Sequence, residues 1–263
     1  MKSVLTFLHR SILLSLILIA GSASALLAQT DEAAFQSANE DFESGDVDSA
    51  ASKYEELINR NLISADLYYN LGTTRFRQGK EGEAMLWMRR AQIASPSMPE
   101  ASQNVEYLRH RLGFLEFADS RFEKFIKALP MGLGRWIASV CIWASLFSIA
   151  AAFVVRRLEP NRSTLITVSV VSLIFCIVGF RLQRYQETNV SPENFATVIT
   201  ESAAALTAPT PDAKTVISLP PGSEVRTLQK SGSWLYADIP GGLRGWIRSE
   251  QVEPNWPIKT LSL

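Results

Sequence analysis

The stretch of sequence that decides the fold is YYNLGTTRFRQGKEGEAMLWMRRAQIASP, at residues 68–96. It repeats the pattern of the preceding stretch with a period of 34 residues. Small and aromatic residues recur at this spacing in six pairs, namely Ala38 and Gly72, Phe42 and Phe76, Gly45 and Gly79, Ala50 and Ala84, Tyr54 and Met88, and Leu57 and Ala91. Small side chains let two helices approach closely, and Gly79 suits the turn between them. The period therefore predicts a helix–turn–helix unit that buries its apolar face by stacking on neighbouring units.

The second unit carries the pattern best, at Tyr68, Leu71, Gly72, Ala84, Met88 and Pro96. It resembles the tetratricopeptide repeat (TPR), although Arg75 stands where that family usually has an aromatic residue. A weaker repeat runs from Asp31 to Ser64, and a third begins at Pro99 without completing. We expect an α-helical TPR solenoid over residues 31–130, in which the segment after Leu112 caps the stack. The alternative is an ordinary bundle of amphipathic helices.

The TPR resemblance implies a concave groove for a protein partner, lined by the first helix of each repeat. The residues expected on this lining are Asn39, Tyr69, Asn70, Thr73, Arg77 and Asn104. Asn70 and Asn104 share one repeat position, where a side-chain amide can donate to and accept from a ligand backbone. The alternative is that the two amides bridge neighbouring helices. Arg77 is suited to a carboxylate of the partner, whereas we expect Phe42 and Phe76 to be core residues.

The N-terminus has the pattern of an export signal at residues 1–25. Lys2, His9 and Arg10 precede an apolar run, and Ala23-Ser24-Ala25 forms a small-residue cleavage site. The alternative is an uncleaved signal anchor. Both alternatives place the repeats outside the cytoplasm.

Two uncharged segments, Ile137 to Val155 and Thr164 to Phe180, are long enough to cross a membrane. They predict a two-helix transmembrane hairpin over residues 133–182. The connecting loop from Arg156 to Arg162 holds three arginines and is expected in the cytoplasm. The chain would then be a multi-pass protein of the inner (cytoplasmic) membrane, with both soluble domains in the periplasm. Between repeats and membrane, Phe114 to Leu129 reads as an interfacial amphipathic helix or as the capping helix of the stack.

The C-terminal part, residues 191–254, has short strand-like runs separated by turn residues. The expected strands are Ala196 to Ile199, Val216 to Leu219, Glu224 to Leu228, Trp234 to Ile239 and Arg244 to Ile247. This spacing predicts a small β-barrel. Leu219-Pro-Pro-Gly222, Gly232-Ser-Trp234 and Gly245-Trp-Ile247 resemble the bacterial SH3-like domain. That resemblance implies contact residues for cell-wall peptides or proteins at Trp234, Tyr236 and Trp246, although we expect at least one Trp in the core.

No motif for chemistry accompanies these parts. The net charge of zero gives no global electrostatic case for nucleic acid. The two histidines, His9 and His110, are far apart, and no phosphate loop or nucleophile motif is present. Cys141 and Cys176 are expected to pack as small apolar residues inside the spans, with an interspan disulfide as the alternative. We therefore expect no metal, no cofactor and no enzymatic activity.

The predicted fold class is multidomain, α then β. Its order of signal peptide, repeats, two spans and terminal SH3-like domain resembles the BatE-like family of the Bat aerotolerance group. The resemblance implies a membrane-anchored scaffold or adaptor whose TPR groove recruits envelope proteins, including Bat-type proteins with von Willebrand A-type domains. It also implies a link to aerotolerance or envelope stress. The alternative function is a cell-wall-binding or sensing module, in which the SH3-like domain binds peptidoglycan.

Overall fold

The computed structural model describes residues 30–118, 120–155 and 160–256. The expected signal peptide at residues 1–25 and residues 156–159 of the arginine-rich loop lie outside this part of the chain. The described residues form N-terminal helical repeats, two long apolar helices and a C-terminal antiparallel sheet.

The repeats are built from antiparallel helices whose turns fall where the period places them. The helices are α1 at residues 30–44, α2 Val47–Asn59, α3 Ala65–Arg77, α4 Glu81–Ala94 and α5 Pro99–Leu112. Gly45 and Gly79 adopt φ values of +92° and +77° at equivalent turns, a conformation that favours glycine. A Cβ on Gly72 would lie 3.2 Å from the backbone nitrogen of Met88, so this position must be small for α3 to meet α4.

The core of the repeats lies between the helix pairs and includes Tyr54, Tyr68, Leu71 and Trp87. Arg75, the departure from the TPR pattern, lies beside this core with 11% of its side chain exposed. Its guanidinium forms ion pairs with Glu55 of α2 and Glu83 of α4, the latter at 2.9 Å. Arg75 therefore stands where the aromatic residue is usual, and its ion pairs link α2 to α4, the second helices of the first two repeats.

Three helices follow the repeats, and the last two are antiparallel. They are α6 Arg121–Ala128, α7 Leu133–Val154 and α8 Arg162–Asn189. Both α7 and α8 are long and apolar enough to cross a membrane, and only 17% and 11% of their most apolar windows are buried. That exposure differs from a core helix of a soluble protein and suggests a membrane protein. Facing glycines, Gly134 and Gly179, let the two backbones touch, and Ser145 and Ser169 hydrogen-bond at 2.8 Å.

Helix α6 does not continue the repeat stack. Gly113, at φ +60°, ends α5, and α6 starts afresh with a capping box between Ser120 and Glu123. Its aromatic contact is to α8, where the rings of Phe122 and Tyr185 are 5.8 Å apart. Helix α6 is therefore a separate helix that contacts the apolar pair, and its place at the bilayer interface stays a prediction.

The C-terminal sheet has seven antiparallel strands among the described residues. They are β1 Phe195–Val198, β2 Ala203–Leu206, β3 Thr215–Leu219, β4 Glu224–Ser231, β5 Trp234–Ile239, β6 Leu243–Arg248 and β7 Val252–Pro254. Their order is β3-β2-β6-β5-β4-β1-β7. Strands β3 and β7 are the edges and do not pair with each other in the described sheet, so the closed barrel expected from the sequence is not shown.

The core of the sheet is aliphatic and narrow, with Val198, Val225, Leu235, Ile239 and Ile247 packed among alanines. The expectation of a Trp in this core was wrong. Trp234 and Trp246 are only half-buried, because they lie on the opposite face of their strands from the core residues. Alanines such as Ala205 and Ala237 are fully buried, so small side chains fill much of this core.

Candidate protein-binding surfaces

Helices α1, α3 and α5 form one face of the repeats, which we call the concave face because the TPR resemblance predicts a groove there. The side chains of α3 on this face are spaced three or four residues apart and therefore share one side of the helix, namely Tyr69, Asn70, Thr73, Phe76 and Arg77. Asn70 and Arg77 contact α1, whereas Tyr69 and Phe76 contact α5. The structure thus brings together the residues that the sequence placed on the groove lining.

The asparagines of this face bridge neighbouring helices, the alternative that the sequence left open. Asn70 Nδ2 donates to Asn39 Oδ1 at 3.0 Å, and Tyr54 Oη donates to the same oxygen at 2.7 Å. Asn104 Nδ2 donates to the hydroxyl of Tyr69 at 3.0 Å. Burial raises the pKa of Tyr54 to about 12, so its hydroxyl remains a donor at neutral pH. All these polar residues except Tyr54 are half-buried and thus still reach solvent; their contact with a ligand stays a prediction.

Arg77 is held in place by an aromatic ring of the preceding repeat. Its guanidinium carbon lies 3.8 Å from the ring centroid of Phe42, and Nη1 donates to the Phe42 carbonyl at 3.1 Å. Arg111, 34 residues later, lies 5.2 Å from the ring of Phe76, which is itself 34 residues after Phe42. Sequence reasoning missed Arg111, although the period pointed to it. Both arginines are exposed at the edge of the concave face and offer donors to a carboxylate.

A second candidate surface, the aromatic face, lies on β5 and β6. Trp234 and Tyr236 alternate with buried Leu235 and therefore point to the opposite side of the strand. Tyr236 pairs in register with Trp246, and their ring centroids are 5.0 Å apart. All three predicted aromatics thus lie on one half-exposed face.

Two adjacent arginines of α4 attach the repeats to the sheet, and sequence reasoning missed both. Arg89 is 5% exposed; its Nη1 donates to Thr197 Oγ1 at 2.8 Å and to the Gly222 carbonyl at 2.9 Å. Arg90 is fully buried; its Nη2 donates to Glu253 Oε1 at 2.6 Å and to the Pro254 carbonyl at 2.9 Å. Burial lowers the pKa of Arg90, and the nearby Glu253 carboxylate opposes that shift.

Apolar contacts complete this interface. Phe114 packs with Met85 and Met88 of α4, whereas the next residue, Leu115, packs against the core of the sheet. The backbone of Leu115 also accepts a hydrogen bond from Glu224 at 2.8 Å. The sheet and this segment therefore cover one side of α4. In a complete third repeat, the second helix would pack on that side. Trp256, which the sequence left without a role, packs against the repeat core.

Little in the described residues points to catalysis. Within the described ranges, no group of three or more His, Cys, Asp or Glu side chains could hold a metal ion. Cys141 and Cys176 are free thiols on α7 and α8. The absence of enzymatic activity stays a prediction.

Comparison with known proteins agrees with the repeat architecture. Residues 35–99 match the family model of the tetratricopeptide repeat, which covers most of α1, all of α2 to α4 and the first residue of α5. No curated protein matches the chain. TPR repeats are modules of protein–protein interaction. The chain therefore contains a tetratricopeptide-repeat region that suggests protein partners.

Proposed function

We propose that this protein is a membrane-anchored scaffold or adaptor, which recruits envelope proteins through the concave face of its repeats. The observation that carries the proposal is the set of half-buried and exposed polar residues that α1, α3 and α5 present on one face within a TPR region. Amide bridges and the Arg77–Phe42 contact fix these side chains, so little conformational entropy is lost when a partner binds.

The proposed setting is the inner membrane, with repeats and sheet in the periplasm. The two apolar helices and the export pattern at residues 1–25 support it. The order of repeats, apolar helices and antiparallel sheet also supports a Bat-type complex, in which von Willebrand A-domain proteins are the partners and aerotolerance or envelope stress is the context. The proposed role involves no catalytic step.

A bulky substitution on the concave face tests the proposal. Thr73→Arg places a long side chain among the lining residues. Within the described part of the chain, Thr73 Oγ1 bonds only inside its own helix, to the Tyr69 carbonyl at 3.0 Å. Ser52→Arg is the matched control, because exposed Ser52 of α2 makes the same bond, to the Asp48 carbonyl at 3.0 Å. Membrane proteins that co-purify with the tagged full chain are quantified by mass spectrometry for both variants.

We expect Thr73→Arg to lower recovery of a defined partner set by about tenfold, a loss of about 1.4 kcal/mol in binding, whereas Ser52→Arg retains it. Equal recovery with both variants would contradict recruitment through this face. If the proteins lost with Thr73→Arg include von Willebrand A-domain proteins, the Bat-type complex is supported. If they do not, the Bat-type complex is contradicted, whereas recruitment through this face is not.

A second candidate function is cell-wall binding through the aromatic face. The observation that favours it is the half-exposure of Trp234, Tyr236 and Trp246 on one side of β5 and β6. Trp246→Ala should abolish co-sedimentation of the detergent-solubilised chain with purified peptidoglycan. Leu228→Ala, which removes another exposed apolar side chain of the sheet, should leave it unchanged. If the unmodified chain does not sediment with cell wall, this second function is excluded.

A further inference from the structure

A cleft of about 640 Å³ lies where α4, α5, α6, the end of α8 and β1 meet. Its volume falls in the range of small-molecule sites, about 300–1,000 Å³. The charged side chains that line it are Arg89, Arg109, Lys124, Lys127, Glu116 and Glu224. Cations thus outnumber carboxylates, and neither candidate binding surface includes this cleft.

One cationic group in the cleft has unused hydrogen-bonding capacity. Arg89 is buried and bonds to the sheet through Nη1, but its Nη2 has no hydrogen-bond partner in the described structure. The nearest carboxylate to Nη2 is Glu116, whose Oε1 lies 3.8 Å away, beyond hydrogen-bond distance. A buried guanidinium N–H without an acceptor is costly, and an anion in the cleft would supply the acceptor.

The carboxylates of the cleft have other contacts. Glu116 Oε2 accepts from Arg109 at 2.6 Å, and Glu224 Oε1 accepts from Asn255 Nδ2 at 3.2 Å. Burial raises the pKa of Glu224, which eases its neutralisation when an anion approaches, while the charges of Arg89 and Lys127 oppose that shift. Glu116 thus holds Arg109 and Glu224 bonds Asn255, and neither carboxylate is a hydrogen-bond acceptor for Arg89 Nη2.

The cleft lies at the level where the chain meets the apolar helices. Lys124 and Lys127 belong to α6, which ends shortly before α7 begins, and Val190 and Pro192 follow the last residue of α8. On the same α6, Phe122 and Phe125 are 61% and 62% exposed. An amphipathic helix with exposed aromatic rings and lysines, next to membrane-spanning helices, is typical of the bilayer interface.

We propose that this cleft binds a phosphate group, with Arg89 as the buried donor and Lys124 and Lys127 as the flanking cations. The source favoured by the position of α6 is the headgroup of an anionic membrane lipid. A soluble phosphate ester has the same chemistry and is the other source. The site is independent of partner recruitment by the concave face.

The test measures binding of short-chain phosphatidylglycerol, short-chain phosphatidylcholine and glycerol phosphate to the detergent-purified full chain. Lys124→Gln/Lys127→Gln removes two cleft cations from exposed positions. Arg121→Gln/Arg135→Gln is the matched control, because it removes two exposed cations of α6 and α7 that are not among the residues lining the cleft. Ala118→Asp is a second test variant, since this exposed lining residue gains a negative charge without loss of a contact.

We expect the unmodified chain to prefer phosphatidylglycerol over phosphatidylcholine. The lysine variant and Ala118→Asp should each weaken that binding by about tenfold or more, and the control should not. Glycerol phosphate binding as tightly as the lipid would support the site with a soluble source. Equal weakening in the lysine variant and the control, or binding of neither phosphate compound, would overturn the proposal.

Discussion

The concave face of the repeats and the interface between α4 and the sheet both depend on arginine, but they use it in opposite ways. Arg77 lies exposed on the ring of Phe42 and keeps donors available to solvent. Arg89 and Arg90 are buried, and Arg89 Nη1 and Arg90 Nη2 donate to the Gly222 and Pro254 carbonyls, Thr197 and Glu253. An exposed, oriented guanidinium suits a partner, whereas a buried one fixes two parts of the same chain because leaving it unpaired is costly.

The interface should be the more sensitive region to loss of an arginine. Arg89→Ala leaves the Gly222 carbonyl and Thr197 hydroxyl without this donor inside the interface, so we expect the free energy of unfolding to fall by about 3 kcal/mol. Arg111→Ala, which removes an exposed arginine paired with Glu81 at 3.0 Å, should lower the free energy of unfolding far less, because exposed ion pairs contribute little to stability. Urea unfolding of the full chain in detergent, followed by tryptophan fluorescence, measures both. Equal losses would remove the distinction between the two regions.

Buried Tyr54 of the repeats should make the free energy of unfolding depend on pH in the alkaline range. Burial raises the pKa of Tyr54 from the usual 10.0 to about 12, so the contribution of Tyr54 to stability is complete below pH 10. It is lost as pH rises towards the folded pKa, by about 1.4 kcal/mol at about pH 11. Tyr54→Phe should remove this part of the alkaline decline, whereas Tyr107→Phe, at an exposed site, should not. An unchanged decline in Tyr54→Phe would contradict the assignment.

A pair of glycines separates interface packing from backbone strain. Gly222 and Gly241 have φ values of +82° and +91°, so alanine is strained at both. A Cβ on Gly222 would lie 3.2 Å from Met85 of α4, whereas a Cβ on Gly241 would have no atom of the described residues within 4 Å. Gly222→Ala should therefore destabilise the chain by about 1 kcal/mol more than Gly241→Ala in the same urea experiment. Identical losses would mean that the turn does not press on α4.

Features set by local periodicity were predictable from the sequence, and features set by distant contacts were not. The 34-residue period placed the turn glycines, and alternation placed β5 at Trp234–Ile239. Strand β2, Ala203–Leu206, escaped notice because a run of alanines lacks the alternation and branched side chains of a strand. Short β7 was missed because it ends in a proline.

The contact between repeats and sheet had no signature in the sequence. The sequence analysis assigned no role to Arg89 and Arg90, because their partners lie more than 100 positions away along the chain. Tyr69 and Asn70 both lie on α3, yet the partners in their bridging bonds, Asn104 and Asn39, belong to other repeats. Repeat spacing determines which side chains share a helix face, whereas side-chain packing determines their hydrogen-bond partners.

The central structural claim is that the sheet completes the unfinished repeat stack and holds it through buried charge. A double-mutant cycle between Arg90 and Glu253, with Arg90→Met, Glu253→Gln and the double variant, tests it most directly. Their ion pair at 2.6 Å joins α4 to β7, so we predict a coupling of about 2 kcal/mol in the free energy of unfolding. A coupling within about 0.5 kcal/mol of zero would contradict the claim, because the two residues would then be energetically independent.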